Sequence, residues 1–390
     1  MSPSPSLAAS RARTDAGWLF AAPFRPFFVG ASALAALSVP AWVAMYLGGA
    51  AEVASMPAFA WHAHEMVFGF LPAVMAGYLL SATPNWSGRL PASGPPLAAL
   101  FALWAAGRVM PFLVPLPFAA LADAAFPLGV TAVLVREARI KSPRQSRHGL
   151  MLFPLLAVAA VAHRLTVMDY EVAAAMARVG IAVAVLLISA VGGRFVPSLT
   201  RNALVGRGAE RVPEPYGRFD VVVLVVALPA LTAWVVAPAG WITAGAMAIA
   251  AILQGVRLWR WRGWSARQFD VLALHAGYLW LVTGTALAAL AAVPGSGLPL
   301  DTALHAFASG AIGAMTMAVM ARLAVSRGGH SPAAGGLCAV AIVAVNLGAL
   351  ARVVAPFSGA HSLDLIIAGA ALWTMAWTVF TTAQIMSARA

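Results

Sequence analysis

The chain is poor in cysteine. Cys338 is the single cysteine among 390 residues, which excludes an internal disulfide, a four-cysteine iron–sulfur cluster, a thiolate-bridged copper pair and a CxxCH haem attachment. Any bound metal must therefore rely on histidine, methionine or carboxylate ligands, and any haem must be bound non-covalently; we expect the b type.

Charged residues are also scarce. They make up 10% of the chain, whereas 62% is hydrophobic and the mean hydropathy is +0.85; soluble domains carry about 25% charged residues. This composition excludes a soluble protein and leaves no room for a soluble domain. A membrane-spanning helix needs about 20 apolar residues, so the apolar content corresponds to about twelve spans.

The hydropathy pattern predicts an all-α polytopic membrane bundle of about 12 transmembrane helices and not a β-barrel. We expect a cytoplasmic tail at 1–26, because no short apolar core with a cleavage site is present, followed by a single transmembrane domain at 27–387. The predicted spans lie near 27–49, 61–82, 96–115, 117–138, 149–169, 171–199, 219–237, 240–259, 270–292, 302–325, 335–354 and 362–386.

The basic residues predict the orientation of this bundle. The chain has 25 Lys+Arg against 13 Asp+Glu, and the arginines cluster in the connections 139–148, 201–218 and 257–267. Because basic residues are retained on the cytoplasmic side, these connections, those at 84–95 and 326–334, and both termini are predicted to be cytoplasmic. The positive charge thus reports membrane orientation, and we expect no nucleic-acid partner.

The histidines are the strongest candidates for functional residues. Ionisable side chains inside a bilayer cost free energy and usually have a function. His62 and His64 form an HxH pair at the outer end of the second span. At about 100° per residue, an i, i+2 pair points to nearly opposite helix faces, so the pair predicts two separate sites flanking one helix. The alternative is a pair of interfacial histidines bonded to loops.

The remaining histidines fall into three groups. His163, His305 and His361 map to the same outer layer as the HxH pair. His275 maps to the inner end of its span, which indicates either a second site or a wrong boundary. His148 and His330 lie in basic connections and are expected to be solvated. A single buried histidine is more often a core residue bonded to a carbonyl, but several together favour metal or haem ligation.

Arginines and carboxylates near this layer extend the pattern. Arg108 and Arg164 are suitable partners for haem propionates, since a guanidinium binds a carboxylate bidentately; snorkelling to the headgroups is an equal alternative. Glu65 could orient a ligand or carry protons. Asp123 is expected to form a structural pair with Arg108 across the short connection between the third and fourth spans.

Five motifs together resemble the NnrS family, and the resemblance extends over nearly the whole chain. They are PFRPFF at 23–28, WHAHEMVFGF at 61–70, ATPNWSGR at 82–89, GGRFVPSLTRN at 192–202 and LHAGY at 274–278. The resemblance implies a bacterial inner-membrane protein of twelve helices that carries haem and copper and is linked to denitrification and to defence against nitric oxide.

The resemblance also implies cofactor residues, namely His62, His64, His163, His275 and His305, whereas His361 matches no family motif. The chain departs from the family at 320–330, where MARLAVSRGGH replaces a stretch like MTRxSLGHTG and Arg327 stands at the usual histidine position. Either His330 supplies the ligand from three residues further on, or that ligand is dispensable here.

The leading functional hypothesis is a haem- and copper-binding membrane protein that binds or reduces nitric oxide or another small gaseous ligand. Reduction needs a haem iron with an open coordination position, a second metal ion and an electron donor. The sequence does not identify the electron donor. The inventory of histidines permits an enzyme without requiring one. The alternative from another class is a secondary transporter of a small or anionic solute, which the histidine excess and the lack of a clear internal repeat disfavour.

Overall fold

The described chain is almost entirely helical, because apolar runs of about 20 residues alternate with turns rich in proline and glycine. A computed structural model describes residues 17–49, 52–53, 56–87, 91–138, 146–328 and 332–389. Within these ranges, β structure is limited to an antiparallel pair of two-residue strands, Glu52–Val53 (β1) and Met56–Pro57 (β2). The all-α prediction is confirmed.

The chain divides into two compact units. Unit 1 comprises Met1–Ala177, Arg327–Ala334 and Thr381–Ala390, and unit 2 comprises Arg178–Ser326 and Gly335–Phe380. The prediction of one domain over 27–387 stays a prediction.

The described residues up to Leu165 form six α-helices of unit 1. They are α1 (Phe24–Gly48), α2 (Ala58–His64), α3 (Leu71–Ser87), α4 (Pro95–Val109), α5 (Leu116–Ala138) and α6 (Ser146–Leu165). Helices α4 and α5, and likewise α5 and α6, pack as neighbouring hairpins. The C-terminal helix returns to this unit, where Gln384 donates to the Ser32 hydroxyl of α1 over 2.9 Å.

The remaining described residues form nine helices, which contribute most of unit 2. They are α7 (Tyr170–Leu187), α8 (Gly193–Val205), α9 (Arg218–Val236), α10 (Trp241–Arg260), α11 (Phe269–Ala292), α12 (Leu300–His305), α13 (Met315–Gly328), α14 (Pro332–Val354) and α15 (Ser362–Arg389). Helix α11 packs against α10 on one side and against the segment that follows α12 on another.

Three π-helical segments interrupt the helices next to polar side chains. They are π1 (Glu65–Phe70), directly after α2, π2 (Ile188–Gly192), between α7 and α8, and π3 (Ala306–Ala314), directly after α12. Such segments are rare and frequently lie at functional sites. Here π1 begins one residue after His64, and π3 begins one residue after His305.

Ten helices of the described chain are long and apolar enough to cross a membrane, which supports a multi-pass membrane protein. Two of the predicted spans, 96–115 and 149–169, hold the shorter apolar stretches Pro95–Val109 and Met151–Leu165. The count of twelve and the cytoplasmic placement of the termini therefore remain predictions.

Candidate functional site

His64 and Glu65 are placed side by side in unit 1 where α2 becomes π1. Both residues are buried, with exposed fractions of 0% and 3%. The π1 backbone is held from outside by Trp104, whose indole N–H donates to the Gly69 carbonyl over 2.9 Å. This contact joins π1 to α4, which also carries Arg108.

Asp123 of α5 is the centre of a buried polar network around His64. Its carboxylate accepts hydrogen bonds from Arg108 Nη2 over 2.8 Å and from Arg164 Nε. Its Oδ2 atom also lies 3.1 Å from His64 Nε2. The expected pairing of Asp123 with Arg108 is confirmed.

Glu65 completes this network from the other side of Arg108. Its Oε2 atom accepts a hydrogen bond from Arg108 Nη1 over 2.8 Å. Two carboxylates and two guanidinium groups therefore balance their charges, which offsets the cost of burying them. Both arginines that the sequence assigns to haem propionates are thus engaged with carboxylates of the chain.

His163 of α6 meets His64 edge to edge. The two Nδ1 atoms lie 3.2 Å apart, so one ring nitrogen donates and the other accepts. Asp123 Oδ2 lies at ion-pair distance from His64 Nε2 without forming a hydrogen bond to it in the described geometry. Its negative charge favours the proton of a neutral His64 on Nε2, which leaves His64 Nδ1 as the acceptor. The proton of His163 then lies on Nδ1, and its Nε2 atom carries a lone pair that suits a metal ion.

His62 has different surroundings from His64, as the i, i+2 spacing requires. Its ring lies 4.9 Å from the ring of Trp42 on α1, whereas His64 contacts Asp123, His163 and Phe68.

His275 of α11 is the main candidate ligand in unit 2. Its Nδ1 atom lies 2.9 Å from the Val271 carbonyl oxygen, to which it donates, so the lone pair of a neutral ring is on Nε2. That Nε2 atom is buried and has no hydrogen-bond partner among the described residues. The ring lies against Gly263, where a Cβ atom would overlap it. The predicted start of this span was correct to one residue, and the second site at His275 stays a prediction.

Arg257 of α10 lies in the same unit and is fully buried. Its guanidinium donates to Asp220 Oδ1 over 2.8 Å and to the Ser189 carbonyl of π2 over 2.7 Å, and it lies flat against Gly193, where a Cβ atom would overlap it. We expected Arg257 in the connection 257–267, and this is wrong. Helix α10 continues to Arg260 because Asp220 and Ser189 satisfy the arginine inside the protein.

The other predicted ligands are not gathered with these residues by any described contact. His305 Nδ1 lies 2.8 Å from the Asp301 carbonyl oxygen, and His361 is an exposed residue 3.4 Å from Asp364 Oδ2. His330 lies outside the described residues, as does any structural account of the Arg327 side chain. Their ligand roles stay predictions.

Sequence reasoning missed the central place of Asp123 and the whole Arg257 cluster. The usable signal was a charged residue within an apolar helix. Asp123 lies inside α5, and Asp220 lies in the first turn of α9. The contact of Met56 Sδ with Arg164 Nη1 over 3.3 Å has no such signal, because methionine is common in apolar segments.

The donor chemistry of these sites suits metal ions in part. In the described chain, no group of three or more His, Cys, Asp or Glu side chains is arranged to hold a metal ion. What the structure offers is one adjacent pair of imidazoles, His64 and His163, and one half-buried imidazole, His275, whose Nε2 atom is buried and unpartnered among the described residues. Imidazole nitrogens suit copper and haem iron.

Comparison with known proteins gives one family. A family model described as NnrS protein matches residues 18–386, nearly the whole chain. No curated protein matches the chain.

Proposed function

Since this chain belongs to the NnrS family, we propose that it is a haem- and copper-binding protein of the bacterial inner membrane that handles nitric oxide. The observation that carries the proposal is the buried, unpartnered Nε2 atom of His275. An imidazole that donates its Nδ1–H to a carbonyl and leaves Nε2 free is the usual arrangement of a metal-ligating histidine.

His275 would hold the haem iron from unit 2. Its ring is fixed from two sides, by the Val271 carbonyl and by the close approach of Gly263. Trp261 adds an edge contact, with ring centroids 6.1 Å apart. The orientation of the ring is therefore set by the protein before any ligand is bound, which lowers the entropic cost of ligation.

His163 would hold copper in unit 1 through its Nε2 atom, the ring nitrogen that its contact with His64 leaves with a lone pair. Asp123 lies 3.1 Å from Nε2 of His64 and would orient that ring, and His64 in turn would orient His163. Arg108 and Arg164 in turn fix the orientation of Asp123. Glu65 is held by Arg108, so its direct contribution is to position that arginine.

When bound, haem iron supplies a coordination position for nitric oxide, and copper supplies a second redox-active ion. The chain itself contributes oriented imidazoles and a charge-balanced, buried network of carboxylates and arginines. These features support both binding and reduction of nitric oxide.

The first experiment is a reduced-minus-oxidised absorbance spectrum with elemental analysis of the purified full-length protein. We expect haem and copper in the wild-type protein, and we expect His275→Gly to lose the haem signal. Added imidazole should restore the signal in that variant by occupying the space of the missing ring. The control is Trp241→Ala, which changes a 70% exposed side chain of the same unit and should leave the spectrum unchanged.

A stable, colourless and metal-free wild-type protein would contradict the proposal and favour the transporter alternative. If haem is present, anaerobic nitric oxide consumption with a reductant separates the two activities. Continuous turnover to nitrous oxide indicates a reductase, and uptake that stops after one equivalent indicates a binding protein.

A further inference from the structure

The connection between α10 and α11 forms a compact basic turn at one end of unit 2. We call residues 261–268 the basic turn; it contains the 3₁₀ segment Gly263–Ser265. Arg262 and Arg267 adopt φ values of +55° and +54°, in the left-handed region that favours glycine. Arginine therefore occupies two positions where its backbone is strained, which is unexpected unless the guanidinium groups are used.

Neighbouring elements hold the basic turn in place. Arg207 donates from Nη1 to the Ala266 carbonyl over 3.1 Å. Ala266 packs with Ala203 of α8 and Val271 of α11 in a small buried cluster. The backbone of the turn is thus held in place by α8 and α11.

Two exposed tryptophans lie close together here, one in the basic turn and one at the end of α10. Trp259 and Trp264 are 70% and 52% exposed, and their ring centroids are 4.4 Å apart. Such a pair is unfavourable in water, but tryptophan is enriched at the membrane–water interface, where its ring meets the headgroup region. The pair therefore indicates that this end of unit 2 lies at the lipid headgroups.

The length of the helix from α7 to α8 gives the same location. The continuous helix Tyr170–Val205 has 36 residues, or about 54 Å, whereas the hydrocarbon core is about 30 Å thick. Its polar stretch, Ser198–Asn202, lies toward the end that packs on the basic turn through Ala203. The basic turn therefore lies beyond the hydrocarbon core.

This end of unit 2 carries more positive charge than its carboxylates balance. Residues 201–270 contain eight arginines and four carboxylates. Asp220 is used by Arg257, Glu214 by Arg260 and Asp270 by Arg322. In addition, the Nε atom of Arg262 is buried without a hydrogen-bond acceptor in the part of the chain that the structure describes. An anionic oxygen is the ligand that such a group requires.

We propose that the basic turn and the Trp259–Trp264 pair bind the phosphate headgroup of an anionic membrane phospholipid. Arg262 and Arg267 contact the phosphate, and the two indole rings lie along the glycerol and upper acyl chains. An anionic lipid is favoured over a free anion because the two exposed rings need an apolar partner beside the charge. Gly263 of the same turn lies against His275. A lipid bound to the turn therefore also stabilises the position of the His275 ring.

The test is native mass spectrometry of the full-length protein titrated with phosphatidylglycerol or with phosphatidylcholine of the same acyl chains. We expect the wild-type protein to bind phosphatidylglycerol more tightly. The double variant Arg262→Gly/Arg267→Gly should bind it about thirtyfold less tightly, because each hydrogen bond from an arginine to the phosphate contributes about fivefold. Glycine suits the left-handed backbone at both positions, so the variant should fold.

The matched control is Arg211→Gln/Arg218→Gln, which removes the same charge from two other exposed arginines of the same region. It should retain most of the affinity, and Trp264→Ala should lose part of it. Three results would overturn the proposal: equal affinity for both lipids, equal losses in the two arginine double variants, or displacement of the lipid by inorganic phosphate at an equal concentration.

Discussion

The imidazole rings of His64 and His163 meet through their Nδ1 atoms, 3.2 Å apart, although the residues are 99 positions apart in the chain. Asp123 lies on the other side of the His64 ring, 3.1 Å from Nε2. Its charge therefore influences which nitrogen of the pair donates and which accepts. The negative charge of the carboxylate favours the proton of His64 on Nε2, and His64 Nδ1, as the acceptor, then favours the proton of His163 on Nδ1. One aspartate on a third helix thus determines which nitrogen of the pair is left to bind a metal ion.

Asp123→Asn should destabilise unit 1 strongly. The variant leaves the fully buried Arg164 without its carboxylate, and removing one partner of a buried ion pair costs about 3 to 5 kcal/mol in unfolding free energy. The measurement is thermal or denaturant unfolding of the detergent-purified protein. Asp364→Asn is the control, because its side chain is 77% exposed. Equal stabilities of the two variants would show that the network contributes little.

Copper content should respond to His64 and His163 as a unit. If His163 holds the ion and His64 orients His163, then His64→Ala, His163→Ala and the double variant should all lose copper, and the losses should not add because both changes act on one site. Elemental analysis of the purified proteins gives the copper per chain, and Leu121→Ala, which changes a 67% exposed side chain of α5, serves as the control. Independent losses that add in the double variant would indicate two separate sites.

The sequence predicts the helices and the local pairs well, because both depend on short-range patterns. Asp123 and Arg108 could be paired in advance since α4 and α5 are joined by a short connection. For His64 and His163 the sequence predicts only that both lie at the same depth in the membrane. It does not predict their contact, because hydropathy does not show which helices are neighbours or how each helix is rotated.

The Arg257 cluster shows a second limit of the sequence. Arg257, Arg260 and Arg262 follow one another closely, and this spacing is typical of a cytoplasmic connection. Burial of the first arginine depends on Asp220, which lies 37 positions earlier, and on the π2 segment that presents the Ser189 carbonyl. A π-helical segment has the same apolar residues as an α-helix, so hydropathy does not reveal it.

Gly193→Ala should destabilise unit 2. A Cβ atom at this position would overlap the Arg257 guanidinium, which is held by Asp220 and Ser189 and has no room to move without breaking those hydrogen bonds. Overpacking of this kind costs about 1 to 3 kcal/mol. Gly255→Ala on α10 is the matched control, since the new methyl group would meet Val282 at an ordinary 3.6 Å. The described packing would be contradicted if unfolding measurements showed Gly255→Ala to be less stable than Gly193→Ala.

Gly263→Ala should show whether the position of the His275 ring, and not only its presence, matters for haem binding. The added methyl group would overlap the His275 ring, so either the ring or the basic turn must shift, while the Nδ1 bond to the Val271 carbonyl resists rotation of the ring. If His275 ligates haem, the absorbance spectrum should shift or lose intensity although every ligand is still present. Gly245→Ala, where no atom lies within 4 Å of the new Cβ, should leave the spectrum unchanged. An unaltered spectrum in Gly263→Ala, in a protein that has bound its full complement of haem, would mean that the iron is held elsewhere. Because the variant keeps all eight histidines, such a result would bear on the position of His275 and not on the capacity of the chain to bind metal.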